Sequence, residues 1–400
     1  MKMFWRYIID LGKLSSEKVC KICGKKSKYI SESLGICKEC IINNSNAEKY
    51  IYRAHSRARS KFRLPYPPPK SDSPNSVTCN ICENRCKMGI GEKGFCGLRS
   101  NIDGKLHSII SANVSLMYPY LDPHITNCVA SWFCPASTGL GYPDYAYKDG
   151  PEYGYYNLAI FFYGCNFDCL FCQNWTHKSL NEAKKVTIDE FIDIIRKNHR
   201  ISCICYFGGS PEPHLPFAIK ASELVLKEFP DRIIRICFEW NGSGNIHLVD
   251  KAGELALKSG GIIKFDLKAF DERLHIALTG VSNKASLRNF EYLAKKYYDK
   301  RPEIPIVTAS TLLVPGYVDE NEVEKIAKFI SNINPDIPYS LLIFHPDFIM
   351  NDLPITPIES VIRAYKISKE YLTRVHVGNI HLIGFHRYED FERYASTFKS

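Results

Sequence analysis

From Tyr156 onward the chain alternates apolar, strand-like runs with amphipathic helical stretches, and this period leaves few architectures open. NLAIFFYG, ISCICYFGG, RIIRICFEWN, GIIKFDLKAF, IPIVTASTLLVP and IPYSLLIFHP read as strands. Between them, TIDEFIDIIRKNH, HLPFAIKASELVLKEF, IHLVDKAGELALKS, SLRNFEYLAKKYYD and NEVEKIAKFISNI place apolar residues three and four apart, as helices with one buried face do. Continuously apolar strands fit a parallel sheet covered by helices. The expectation is an α/β fold: a partial (β/α)6, TIM-like barrel preceded by a Cys-rich metal-binding region. In parallel barrels the chemistry gathers at the C-terminal ends of the strands.

Eleven of the 16 cysteines fall into three tight groups, with gaps that suit shared metals better than disulfides. Cys20, Cys23, Cys37 and Cys40 form two CxxC knuckles, the pattern of a structural zinc ribbon. Cys79, Cys82, Cys86 and Cys96 make a second closed set, for which zinc and an auxiliary iron–sulfur cluster both satisfy the spacing. Cys165, Cys169 and Cys172 form a CxxxCxxC directly after the first barrel strand. Three thiolates can hold three irons of a cubane and leave the fourth iron with an open position. The alternative is a zinc loop completed by a distant ligand. Thiolate sites imply a reducing compartment, and the N-terminal MKMFWRYIID is too short and too soon interrupted by charge for a signal peptide, so the expected location is the cytoplasm. No apolar run approaches the roughly 20 residues a bilayer needs.

Charge is uneven: residues 1–100 carry 20 Lys and Arg against 8 Asp and Glu, although the whole chain is only +9. Four regions are expected: a basic zinc-ribbon-like lobe at 1–63, a Pro-rich linker at 64–76, a second Cys-rich lobe at 77–150 and the barrel with a C-terminal extension at 151–400. No cluster ligand of the other two groups precedes the linker, so the first lobe reads as removable. Its run of Arg53, Arg57, Arg59, Lys61 and Arg63 either touches RNA phosphates or is a solvated helix face docked on the barrel.

With Phe171 before its last cysteine, the CxxxCxxC motif resembles that of the radical S-adenosylmethionine superfamily, over roughly residues 156–345. The resemblance implies a 4Fe-4S cluster on Cys165, Cys169 and Cys172 that chelates S-adenosyl-L-methionine. Reduction then yields methionine and a 5'-deoxyadenosyl radical. Later strand ends match in order. Gly208, Gly209, Ser210 and Glu212 resemble the family's GGEP segment with an insertion, which leaves Ser210 and Glu212 as alternative ligand contacts. Glu239 and Asn241, in FEWNG, resemble an acidic-x-Asn-Gly segment of glycyl-radical-enzyme activases near the ribose and the methionyl carboxylate. Asp266 and Lys268, in FDLKAFD, resemble activase residues that reach the cosubstrate, the competing reading being an ion pair that holds the barrel.

VTASTLLVPGYVDE, LLIFHPDFIM and VHVGN look most similar to the radical enzymes associated with the AMMECR1 and Memo proteins, and the second cysteine group also resembles their N-terminal segment. Ser310 stands where the activases carry an arginine, so the carboxylate clamp differs, and His345 is either a cosubstrate contact or a barrel-rim histidine. The family implies a flavodoxin- or ferredoxin-type reductant and, through its open barrel, a protein as one substrate class. Competing functions are RNA modification through the basic lobe and a non-catalytic iron–sulfur carrier or scaffold. Cys128 and Cys134 lie in a segment that reads as a substrate lid with inert thiols, and Cys203, Cys205 and Cys237 read as core.

Overall fold

The computed structural model describes residues 16–398. A short antiparallel hairpin, β1 (Lys18–Val19) with β2 (Lys26–Ser27), opens the chain and leads into helices Lys38–Asn43 and Ala47–Ser60. Two more hairpins follow, β3 (Val77–Thr78) with β4 (Lys87–Met88) and β5 (Arg99–Ile102) with β6 (Lys105–Ser108).

The body is one nine-stranded sheet. β7 (Val114–Pro123) and β9 (Lys184–Thr187) form its antiparallel edge, and seven parallel strands run on from there: β8 (Tyr156–Phe162), β10 (Ile201–Gly208), β11 (Arg235–Trp240), β12 (Ile263–Asp266), β13 (Val307–Leu313), β14 (Tyr339–Ile343) and β15 (Val375–Gly378). The six expected strands are all present. β15 adds a seventh, and the sheet stays open because β15 and β9 each have a single neighbour. The crossover helices include Ile188–Lys197, Leu215–Glu228, Ile246–Ser259, Lys284–Tyr297 and Glu320–Ser331. The first is started by a capping box in which Thr187 and Glu190 exchange hydrogen bonds.

Strand alternation separates two faces. Leu158, Ile160, Phe162, Ile204, Tyr206, Ile236, Phe238, Ile263 and Phe265 are buried in the main core. The other face, with Ala159, Cys203, Cys205, Cys237, Glu239 and Lys264, lines a cavity that opens to solvent. Cys203 and Cys205 are buried, as expected, and with the half-buried Cys237 they face the hollow of the barrel instead of the helices. β7 pairs with β9 only over 114–117, so Pro119 and Pro123 lie where the strand is an edge, and an edge tolerates proline. Among the described residues no helix is long and apolar enough to cross a membrane.

Candidate active site and thiol centres

The loop after β8 is anchored by its backbone. Gly164 donates to His177 O at 2.9 Å, Asp168 to Thr279 O at 2.7 Å and Leu170 to Leu278 O at 3.0 Å. The side chain of Asp168, between Cys165 and Cys169, is fully buried and meets three basic groups: Lys178 Nζ at 2.6 Å, His55 Nδ1 at 2.8 Å and Arg59 Nη1 at 3.4 Å. Burial alone would raise its pKa, but Lys178, His55 and Arg59 outweigh that and hold the carboxyl well below the usual range. Arg59 also stacks over the Phe95 ring, 3.6 Å from its centroid, and donates to Pro65 O. Of the basic run, Arg59 is thus docked on the barrel, while Arg53, Arg57, Lys61 and Arg63 are exposed. No sequence signal pointed to His55 or Lys178 as partners of this loop; an acid set between two metal-ligand candidates was the one available hint.

Cys165 and Cys169 are buried and Cys172 partly so. Burial pushes the Cys165 thiol up to about 12 and raises Cys169 and Cys172 as well. Buried thiols of this kind ionise when a metal displaces their protons. Among the described residues, the one group of three or more metal-ligand side chains whose donor atoms all lie within 4.8 Å of one another is Cys20, Cys23, Cys37 and Cys40. The three loop sulfurs are therefore spread wider than one metal ion gathers them, as a cubane with a separate iron for each thiolate requires. The donor set fits that group.

The other strand ends close around this loop. Gly208 takes φ of +108°, and a Cβ on Gly209 would fall 2.2 Å from Gly164 O, so glycine there is what lets the second strand end touch the cluster loop. Ser210 Oγ donates to the buried Glu212 carboxylate and accepts from Asn241 N at 3.3 Å, while Ser243 N donates to Glu212 Oε1 at 3.0 Å. Asn241 Nδ2 reaches Cys165 Sγ at 3.4 Å and Asn166 Oδ1 at 2.9 Å.

Asp266 and Lys268 form an ion pair, and Asp266 Oδ1 is buried without a partner. Lys268 Nζ stands 6.0 Å over the Phe171 ring, and its charge acts on both Cys169 and Cys172. Ser310 lies opposite Asp266 in the β12–β13 register. Glu239 instead faces the cavity, 3.5 Å from Lys264 Nζ. His345, past the end of β14, stands 3.7 Å from Asp347 Oδ2 and is half exposed.

In the first cysteine group Cys20 and Cys40 sulfurs are 3.7 Å apart and those of Cys23 and Cys37 3.8 Å. Tetrahedral zinc with bonds of about 2.3 Å sets its sulfurs about 3.8 Å apart. This lobe sits on loops that follow the barrel strands: Tyr317 Oη donates to Ile36 O at 3.0 Å, and Asp352 accepts from Ser31 Oγ and Glu32 N. Cys79, Cys82, Cys86 and Cys96 of the second group line a separate small cavity beside Arg99.

The radical SAM superfamily profile matches residues 159–330. A protein of Methanocaldococcus jannaschii provisionally named a glycyl-radical enzyme activating enzyme is 31% identical over 54% of this chain and 79% of its own length. The chain belongs to the radical SAM superfamily. A second, uncharacterised M. jannaschii protein is 27% identical over 76% of this chain and 82% of its own. The pyruvate formate-lyase-activating enzyme of Staphylococcus epidermidis is 26% identical over 49% and 76%. As a radical SAM enzyme the chain is built to carry a 4Fe-4S cluster with S-adenosylmethionine, to cleave that cosubstrate and to generate a radical.

Proposed function

We propose that Cys165, Cys169 and Cys172 hold the 4Fe-4S cluster and that the enzyme abstracts hydrogen from a protein substrate, in the manner of a glycyl-radical-enzyme activase. When bound, the cluster and cosubstrate supply one electron and a 5'-deoxyadenosyl radical; the chain's own residues bind, orient and shield. The observation that carries the reading is the Asp266–Lys268 pair beside Cys169 and Cys172, with one carboxylate oxygen unpartnered. A zwitterionic methionyl group needs an anion and a cation at one place, and this pair offers both.

Gly208 and Gly209 present backbone to the methionyl amino group, with Ser210 as the nearer side chain because Glu212 is turned to the amides of the β11 loop. Asn241 orients the cluster loop through Cys165 and Asn166. Glu239 meets the ribose from the cavity side, Ser310 flanks Asp266, and His345 at the rim handles a proton. Phe171 packs under Lys268. The first cysteine group takes a structural zinc, and the second takes metal as well. The solvent-open hollow below the strand ends admits the substrate segment. Work in the cytoplasm with a flavodoxin- or ferredoxin-type reductant completes the reading.

The support for a protein substrate is the likeness to relatives named as activating enzymes. Its test uses peptides carrying α,α-dideuterated glycine. Deuterium in the 5'-deoxyadenosine formed is the expected result. Unlabelled product with every such peptide and with dideuterated glycine in a whole glycyl-radical enzyme would remove the activase reading.

A further inference from the structure

The thiols of Cys79, Cys82, Cys86 and Cys96 are all buried, and the four residues line one small cavity. Their spread separates them from the first group. No three of them share a 4.8 Å neighbourhood, whereas all four sulfurs of the first group do. A single tetrahedral zinc draws its sulfurs to about 3.8 Å and leaves no room between them. A cubane gives each thiolate its own iron and fills the space in the middle.

The surroundings suit such a cluster. The backbone N–H of Phe95 reaches Cys86 Sγ at 3.3 Å. Amides aimed at sulfur and a charged group nearby set a cluster's potential. The charge here is Arg99, 7% exposed, on the cavity wall beside the cysteines and held by its bond to Pro213 O at 3.0 Å.

The same lobe is fastened to the catalytic loop. Asn84 Nδ2 donates to Asn166 O at 2.7 Å, and Asn166 is the residue after Cys165. Glu83 N donates to Ser243 O at 3.0 Å, and Cys82 bridges to Gly244. On the far side Gly164 lies against Cys96, whose carbonyl oxygen would be 3.1 Å from a Cβ placed there. From Cys82 to Cys165 the route is two residues of chain, one hydrogen bond and one residue of chain.

We propose that Cys79, Cys82, Cys86 and Cys96 hold a second 4Fe-4S cluster, which relays the reducing electron to the catalytic cluster through the Asn84–Asn166 contact. One electron enters from a flavodoxin- or ferredoxin-type donor and leaves to the catalytic cluster, where it is used as the carbon–sulfur bond of the cosubstrate breaks. The relay rests on the catalytic reading above; the identity of the metal does not.

The two parts are tested separately. The triple variant Cys165→Ala, Cys169→Ala, Cys172→Ala, purified and reconstituted anaerobically, is expected to keep about four irons and four sulfides per chain and a paramagnetic signal after reduction that ignores S-adenosylmethionine. Two zinc ions without iron, or no metal at this site in a folded chain, overturns the second cluster. Should the triple variant fail to fold, Cys79→Ser with Cys82→Ser in the otherwise intact enzyme provides the same reading: iron is expected to fall from about eight to about four per chain, and unchanged iron overturns it. For the relay, Asn84→Ala is expected to retain all iron and to slow reduction of the catalytic cluster by a flavodoxin, read as the cosubstrate-dependent paramagnetic signal in freeze-quenched samples. An unchanged rate at full iron content overturns the relay.

Discussion

His55 Nδ1 stands 2.8 Å from Asp168 Oδ2, so a helix near the start of the chain closes a buried contact with the loop that carries Cys165 and Cys169. Because Lys178 and Arg59 share that carboxylate, removing it strands buried cations, and removing one partner of a buried pair costs about 3–5 kcal/mol. Asp168→Asn and His55→Ala are expected to lower both the melting temperature and the iron retained by the catalytic loop. Deleting residues 1–63 removes His55 and Arg59 together, so the truncated chain should lose iron although no cluster ligand is cut. Wild-type iron in a soluble truncation would show that the contact does not support the cluster.

The zinc assignment predicts a clean separation of metals. Cys20→Ser should drop zinc from one per chain to none and leave iron unchanged, since the 3.7 and 3.8 Å sulfur pairs belong to one ion. Emission spectrometry of zinc and iron in the same sample checks this.

Asp266→Asn preserves size and removes the charge beside Lys268. A charge-assisted contact is worth about 1.5–3 kcal/mol, so S-adenosylmethionine should bind roughly 10- to 150-fold more weakly to the folded variant by calorimetry. The melting temperature falls as well, because the buried Lys268 loses its partner. Wild-type affinity with a lowered melting temperature would instead make the pair a structural ion pair.

His214 is buried between the Phe162 ring, a Ser115 contact at 2.6 Å and Tyr163 O at 2.7 Å, and burial lowers its pKa to about 3. The unfolded chain takes up a proton near pH 6.5 that the folded chain refuses, so stability is full above that pH and declines from there toward pH 3, by at most about 1.4 kcal/mol per unit. His214→Phe should be less stable at pH 7, through loss of the two hydrogen bonds, yet show a shallower decline between pH 6.5 and 4.5 in urea titrations. Equal slopes would contradict the buried neutral state.

What was legible in the sequence was local. The cluster loop, the glycine pair and the Asp266–Lys268 spacing each sit within a few residues of a strand end, and strand and helix periods located those ends. Contacts across the chain left no such trace: His55 and Asp168 are 113 positions apart, and His55 lies in a run that reads as solvated. β7 was hidden by Pro119 and Pro123, which argue against a strand until its edge position is known. Cys203 and Cys205 read as core because β10 is apolar along their face, and the register beside Ala159 turns that face to the cavity; in β11 the charged Arg235 and Glu239 flank Cys237 on the same face and mark it as the cavity side.

The most direct test of radical S-adenosylmethionine chemistry at Cys165, Cys169 and Cys172 is the yield of 5'-deoxyadenosine under dithionite from reconstituted wild-type enzyme and from Cys169→Ala. The wild type is expected to produce it and the variant to produce none while retaining its zinc at the first cysteine group. Undiminished product from Cys169→Ala, or none from fully iron-loaded wild type, would contradict the assignment.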